Sequence, residues 1–115
     1  MKIQKHLLAL LAFTTSAFAQ TDPAKLAVAR DVITAAGYGP NFLHRTGHGL
    51  GIDVHEAPYI TGTSETVLDE GMVFSIEPGI YLQGQFGLRL EEIVIIRDGK
   101  AEIFSEMPRT AVAAG

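Results

Sequence analysis

Residues 71–97 read GMVFSIEPGIYLQGQFGLRLEEIVIIR. Two runs rich in aliphatic, aromatic and β-branched residues, Met72 to Tyr81 and Leu88 to Arg97, flank a connection with two glycines, Gln83 to Gly87. Strand-forming runs joined by a short glycine-bearing segment predict an antiparallel hairpin. With the turn centred near Gly84, residues whose numbers sum to about 168 face each other, which sets Glu77 opposite Glu91. Facing residues hold their Cβ atoms about 4.5–5.5 Å apart. Side chains alternate along a strand, so Arg89 shares a face with Glu91. Two carboxylates and a guanidinium therefore converge on one patch of sheet. Like charges in that position are destabilising unless a positive group lies between them, a need that an arginine or a divalent cation meets. Periodicity alone leaves the ordinary alternative open, in which both glutamates point to solvent.

Outward from this hairpin, Asp98-Gly99 fits a type I′ turn into a last short strand, Ala101 to Phe104. On the other side, the segment from His44 to His55 is rich in glycine and histidine and reads as loop plus short strand, with Pro58 and Gly62 marking further turns. Upstream, Asp22 is placed as an N-cap with Pro23 at the first helical position. Leu26, Val28, Val32, Ile33 and Ala36 are spaced for one face of an amphipathic helix, which Gly37 and Gly39-Pro40 stop. The expected fold class is α+β: one N-terminal helix followed by an antiparallel β-meander.

The first nineteen residues stand apart. Lys2 and Lys5 form a positive start, Leu7 to Phe13 a short apolar stretch, and Ala17-Phe18-Ala19 a small-x-small cleavage pattern. Residues 1–19 are accordingly expected to be a signal peptide, with cleavage after Ala19 and a secreted or periplasmic mature chain 20–115. The apolar stretch is too short to span a bilayer, so no membrane partner is expected after cleavage. Of 115 residues, losing 19 leaves 96, and losing Lys2 and Lys5 takes the formal charge from −4 to −6. An acidic domain without a basic cluster argues against a nucleic-acid partner. There are no cysteines, so stability must come from packing, bound metal or a partner chain.

The three histidines of the mature chain, His44, His48 and His55, fall within one twelve-residue loop. Clustered imidazoles suit ions such as Zn²⁺, Mn²⁺ or Co²⁺. The helical zinc motif His-Glu-x-x-His is absent, because His55-Glu56 runs into Ala57-Pro58-Tyr59. Each histidine alone would read as a hydrogen-bonded loop residue. Three of them beside two strand glutamates read as a site.

The run from His44 to Ile60 (HRTGHGLGIDVHEAPYI), the block Gly71 to Tyr81 (GMVFSIEPGIY) and the block Gly87 to Glu92 (GLRLEE) resemble, in order and spacing, the signature of the pita-bread metallopeptidases. They are most similar to the branch containing Xaa-Pro dipeptidase and aminopeptidase P, and the resemblance runs from about Ala24 to Phe104. It implies a partial pita-bread fold, residues 20–115 being the C-terminal half of the catalytic domain. It also implies a metal-dependent exopeptidase that hydrolyses the N-terminal bond of a peptide with proline in second position.

By the same resemblance, His48 and Glu77 ligate one metal and Glu91 bridges two. His55 binds substrate and stabilises the tetrahedral intermediate, His44 lines the substrate pocket, and Arg89 supports the site by hydrogen bonds. Mn²⁺ is the expected ion, with Co²⁺ or Zn²⁺ as alternatives. The family's remaining two ligands are aspartates on an N-terminal strand pair, and Asp22, Asp31, Asp53, Asp69 and Asp98 do not reproduce that arrangement. The expectation is therefore at most one ion here, held by His48, Glu77 and Glu91. A second copy of the chain, or a separately supplied N-terminal half, remains as a partner. The competing readings are a secreted metal- or peptide-binding module without turnover, and an inactive gene fragment.

Overall fold

The computed structural model describes residues 28–104. The expected signal peptide, the expected Asp22-Pro23 cap and Leu26 lie outside the described residues. Helix α1 (Val28–Ala35) buries Ala29 and Ile33, an i, i+4 pair on one face, with Val32 packed beside them. The buried stripe is thus centred on Ala29, which the spacing of larger apolar residues passes over. A 3-10 turn at Gly39–Asn41 follows.

Seven strands complete the fold: β1 (Gly47–Gly49), β2 (Glu56–Ile60), β3 (Val73–Ile76), β4 (Gly79–Leu82), β5 (Phe86–Arg89), β6 (Glu92–Arg97) and β7 (Lys100–Ile103). Five form an antiparallel sheet in the order β2-β1-β3-β6-β7, and β4 and β5 form a separate two-stranded ribbon. The expected hairpin register holds through both sheets. Gly79 faces Arg89 and Leu82 faces Phe86 in the ribbon, while Ile76 faces Glu92 and Val73 faces Ile95 in the larger sheet, every pair summing to 168.

The two long strands expected from the sequence are each broken, however, Met72–Tyr81 into β3 and β4 and Leu88–Arg97 into β5 and β6. Pro78 is the physical reason. It has no N–H to donate, so the Leu90 amide donating to the Pro78 carbonyl, at 3.1 Å, carries the chain across the break. Glu77 turns its own amide the other way, donating to the Thr46 carbonyl at 2.7 Å. Glu77 and Glu91 consequently sit at the seam between the two sheets.

Pro58, expected in a turn, lies inside β2. Between His48 and Gly49 the register jumps from Tyr59 to Glu56, so Ala57 and Pro58 form a bulge on an outer strand, a place where proline is tolerated. Asp98 (φ 51°) and Gly99 (φ 66°) make the tight turn between β6 and β7. The core has two parts. Ile60, Leu68, Phe74, Ile76, Val94 and Ile96 pack on one face of the five-stranded sheet, and Ala29, Ile33, Phe42 and Ile80 join the helix to the ribbon. Phe74 and Ile76 point into the first part, so alternation sends Ser75 and Glu77 to the opposite face, where the site is built. Among the described residues no helix is long and apolar enough to cross a membrane.

Candidate active site

The site starts from the closeness of β1 to its neighbours. A Cβ on Gly47 would lie 1.8 Å from the Ser75 carbonyl oxygen, and one on Gly49 would lie 2.2 Å from the Ala57 carbonyl oxygen. Only glycine fits on either side of His48, and this presses the histidine backbone against β3. The His48 amide donates to Ser75 Oγ at 3.0 Å. The Ser75 hydroxyl in turn lies 3.3 Å from Glu77 Oε1 and 3.4 Å from the His48 carbonyl.

His48 is 5% exposed and Glu77 7%. His48 Nδ1 lies 3.0 Å from the Gly49 carbonyl, which can only accept, so Nδ1 carries the proton and donates. This leaves Nε2 to face Glu77 Oε1 at 3.3 Å. A backbone carbonyl that fixes one ring nitrogen and frees the other is the outer-shell arrangement of metal-binding histidines. An imidazole lone pair and a carboxylate oxygen turned toward each other call for a cation, or a proton, between them.

The other oxygen, Glu77 Oε2, lies 3.5 Å from Arg89 NH1, and Arg89 NH2 lies 3.2 Å from Glu91 Oε2. The predicted convergence of two carboxylates and an arginine is therefore present, with Arg89 touching both. Among the described residues no three His, Asp or Glu side chains converge on one point. The donor set fits a divalent ion through His48 and Glu77, while Glu91 is engaged by Arg89.

His55 is exposed, its ring 4.3 Å from that of His48 and tilted by 57°. His44 is fully engaged. Its Nδ1 donates to the Arg45 carbonyl at 2.7 Å, and the Tyr81 hydroxyl then donates to Nε2 at 3.0 Å. Its ring also meets the rings of Phe42 and Tyr81 edge-on. An open cavity of about 540 Å³ brings His44, His55, Glu77 and Arg89 together with Arg45, Tyr59 and Thr61. His48 stands behind Glu77, and Glu91 joins through Arg89. The sequence reading missed Ser75, a polar residue between Phe74 and Ile76 whose burial was the available signal, and the cavity residues Arg45, Tyr59 and Thr61.

The sequence profile of metallopeptidase family M24 matches residues 6–98. The chain belongs to that family. Its members are metal-dependent peptide hydrolases, and the resemblance seen in the three sequence blocks is thereby confirmed. The M24 chain is 49% identical over 86 residues to the Probable dipeptidase PepE of Mycobacterium tuberculosis (strain H37Rv), covering 75% of this chain and 23% of that protein. It is 58% identical over 73 residues to the Xaa-Pro dipeptidase of Lactobacillus helveticus, covering 63% of this chain and 20% of that one.

Among solved structures it is similar to recombinant prolidase from Thermococcus sibiricus, with a TM-score of 0.88 and 45% identity over 94% of this chain and 30% of that chain. It is also similar to the X-Pro aminopeptidase from Thermotoga maritima, with a TM-score of 0.84 and 37% identity over 95% and 32%. The fold is thus a partial pita-bread fold, and the M24 chain spans about a quarter or less of the length of these curated relatives.

Proposed function

We propose that this chain supplies the metal- and substrate-facing C-terminal half of an Xaa-Pro-type exopeptidase, acting on peptides with proline in second position. The observation that carries the reading is the His48–Glu77 pair, buried at the back of a cavity that also presents His44, His55 and Arg89. His48 and Glu77 would hold one divalent ion, with Glu91 joining them on turning away from Arg89; Mn²⁺ is expected and Co²⁺ or Zn²⁺ suit the same donors. When bound, such an ion lowers the pKa of its water and polarises the scissile carbonyl.

The chain's own groups do the rest. Glu77 is placed to take a proton from an attacking water. His55, on the open side of the cavity, donates to the developing oxyanion. His44, locked between Arg45 and Tyr81, forms a fixed wall for the substrate. Arg89 keeps the Glu77 and Glu91 carboxylates oriented. Residues 1–19 are proposed as a secretion leader, on the strength of the Lys2/Lys5 start and the Ala17-Phe18-Ala19 pattern. A second copy, or a separate N-terminal half, would supply further ligands. A second reading, metal or peptide binding without turnover, is favoured by one observation: Glu91 rests on Arg89 instead of facing the His48–Glu77 pair.

The test uses the full chain with added Mn²⁺, assayed by calorimetric metal titration and by cleavage of alanyl-proline, with Glu77→Gln as control. Metal binding and turnover that both vanish in the control support the peptidase. Binding without turnover selects the second reading. Metal affinity unchanged in the control sinks both.

A further inference from the structure

We propose that Arg30, on helix α1 and outside the cavity lining, is a positioning residue that fixes the His44 ring as a wall of the cavity. The proposal rests on the reading of that cavity as a peptide site. It begins from the segment that carries His44. Residues 42–45 lie outside every strand and helix, and Leu43 among them is turned to solvent. Arg30 supplies the hold that a strand ladder would give. One guanidinium nitrogen donates to the Phe42 carbonyl at 3.0 Å and another to the His44 carbonyl at 2.6 Å. Phe42 is extended (φ −97°, ψ 91°), and the two carbonyls, two residues apart, face this one donor group. The guanidinium carbon also lies 4.2 Å from the centre of the Phe42 ring, and that ring meets the His44 ring edge-on at 5.2 Å.

A planar, delocalised cation bridges two acceptors and stacks on an aromatic face at the same time, which a lysine ammonium does not. Its bonds to the carbonyls are charge-assisted. The clamp reaches the His44 ring by two routes. Through the main chain, Arg30 holds the His44 carbonyl, and the next carbonyl, that of Arg45, takes the His44 Nδ1 proton at 2.7 Å. Through space, the stack of Arg30, Phe42 and His44 sets the ring from the helix side, while the Tyr81 hydroxyl on β4 holds Nε2 at 3.0 Å. The helix that carries the clamp is itself anchored, because Ala29 and Ile33 are buried. A wall fixed before any ligand arrives lowers the ordering cost of binding. If Arg30 only tied helix to loop, its loss would lower stability and leave the His44 ring as it is.

The test compares the full wild-type chain with Arg30→Met and Arg30→Lys. The first readout is ¹⁵N NMR of the histidine rings in the metal-free chain at about pH 8, where an ordinary imidazole is neutral. The wild type should show His44 protonated at Nδ1 alone. In Arg30→Met the His44 signals should move toward the tautomer mixture of a free imidazole, while His48 and His55 keep theirs; Arg30→Lys should fall in between. The second readout is calorimetric titration of Mn²⁺, then of alanyl-proline in its presence. Arg30→Met should weaken alanyl-proline by roughly 3- to 10-fold, the cost of ordering one freed side chain on binding, and leave Mn²⁺ affinity unchanged. If Arg30→Met is unfolded by circular dichroism, Arg30→Lys carries the same comparison. The proposal is overturned if the folded variant keeps the wild-type His44 signals, or if alanyl-proline and Mn²⁺ affinity fall together. The NMR readout needs no peptide and judges the clamp by itself. A wild type that does not bind alanyl-proline, or Mn²⁺ affinity unchanged in Glu77→Gln, fails the peptidase reading instead.

Discussion

Replacing Gly47 with alanine would place a methyl carbon 1.8 Å from the Ser75 carbonyl oxygen and 2.7 Å from the carbonyl carbon, where ordinary contacts begin at 3.4 Å. The obstructing atoms are backbone in a central strand, so no rotamer change relieves them. β1 must retreat by about 1.6 Å, the difference between 3.4 and 1.8 Å. That retreat breaks the Glu77 amide bond to the Thr46 carbonyl (2.7 Å) and the His48 amide bond to Ser75 Oγ (3.0 Å). Two buried hydrogen bonds at about 1 kcal/mol each, with overpacking of about 1–3 kcal/mol, sum to roughly 3–5 kcal/mol. Against a total of about 5–15 kcal/mol for a domain, a chain this short should be largely unfolded. Gly84→Ala is the control. Gly84 has φ +75° and nothing within 4 Å of a built Cβ, so alanine there costs only the left-handed strain of about 1–2 kcal/mol. Urea unfolding of both variants, followed by far-UV circular dichroism, gives the comparison. A Gly47→Ala midpoint no lower than that of Gly84→Ala would refute the claim that β1 is wedged against β3.

Ser75→Ala leaves the His48 amide without its acceptor in a buried place and should cost about 1–3 kcal/mol in the same unfolding assay, with weaker Mn²⁺ binding because His48 and Glu77 lose their common support. Arg89→Met removes the cation between Glu77 and Glu91. Since the arginine side chain is 49% exposed, the loss should stay below about 1 kcal/mol and shrink further when salt is raised from low to high concentration. Saturating Mn²⁺, at about 100 times its dissociation constant, should raise the stability of the wild type by about 2.7 kcal/mol and leave Glu77→Gln unmoved, as read from thermal midpoints. Phe74→Ala, at a fully buried position, should cost about 3–5 kcal/mol and give no cooperative transition.

Much of this was legible from a few residues. Gly84 fixed the hairpin centre, and the register it implied runs unbroken from Val73–Ile95 to Leu82–Phe86. That register is what brings Arg89 against Glu77 and Glu91. The strand breaks were not legible from periodicity, because Met72–Tyr81 keeps a strand-like composition on both sides of Pro78. A missing amide proton matters only where a partner strand needs it. Pro58 misled in the opposite sense, since a turn and a bulge on an outer strand share the same local preference. Ser75 escaped notice because its role depends on β1 crossing beside it, a contact between residues 27 positions apart. Arg45 and Tyr59 were hidden for a similar reason. Their stacking depends on the β1–β2 pairing, which the bulge at Ala57–Pro58 shifts off any simple count.

The bulge has a consequence for how copies of this chain meet one another. A sheet grows by adding a strand to an outer edge that offers a regular row of amides and carbonyls. The β2 edge is irregular at Ala57–Pro58 and lacks an amide proton at Pro58. The β7 edge is four residues long and carries exposed Lys100 and Glu102. Neither edge is a template for fibril-like extension. Large apolar side chains left in solvent are scattered, among them Ile52 and Val54 in the loop before β2, Tyr59 within β2, Phe86 at the head of β5 and Phe104 just after β7, and form no continuous row along either edge. Association of this chain at high concentration should therefore proceed by side-chain contact, giving amorphous clusters that mild detergent disperses and that do not bind amyloid dyes.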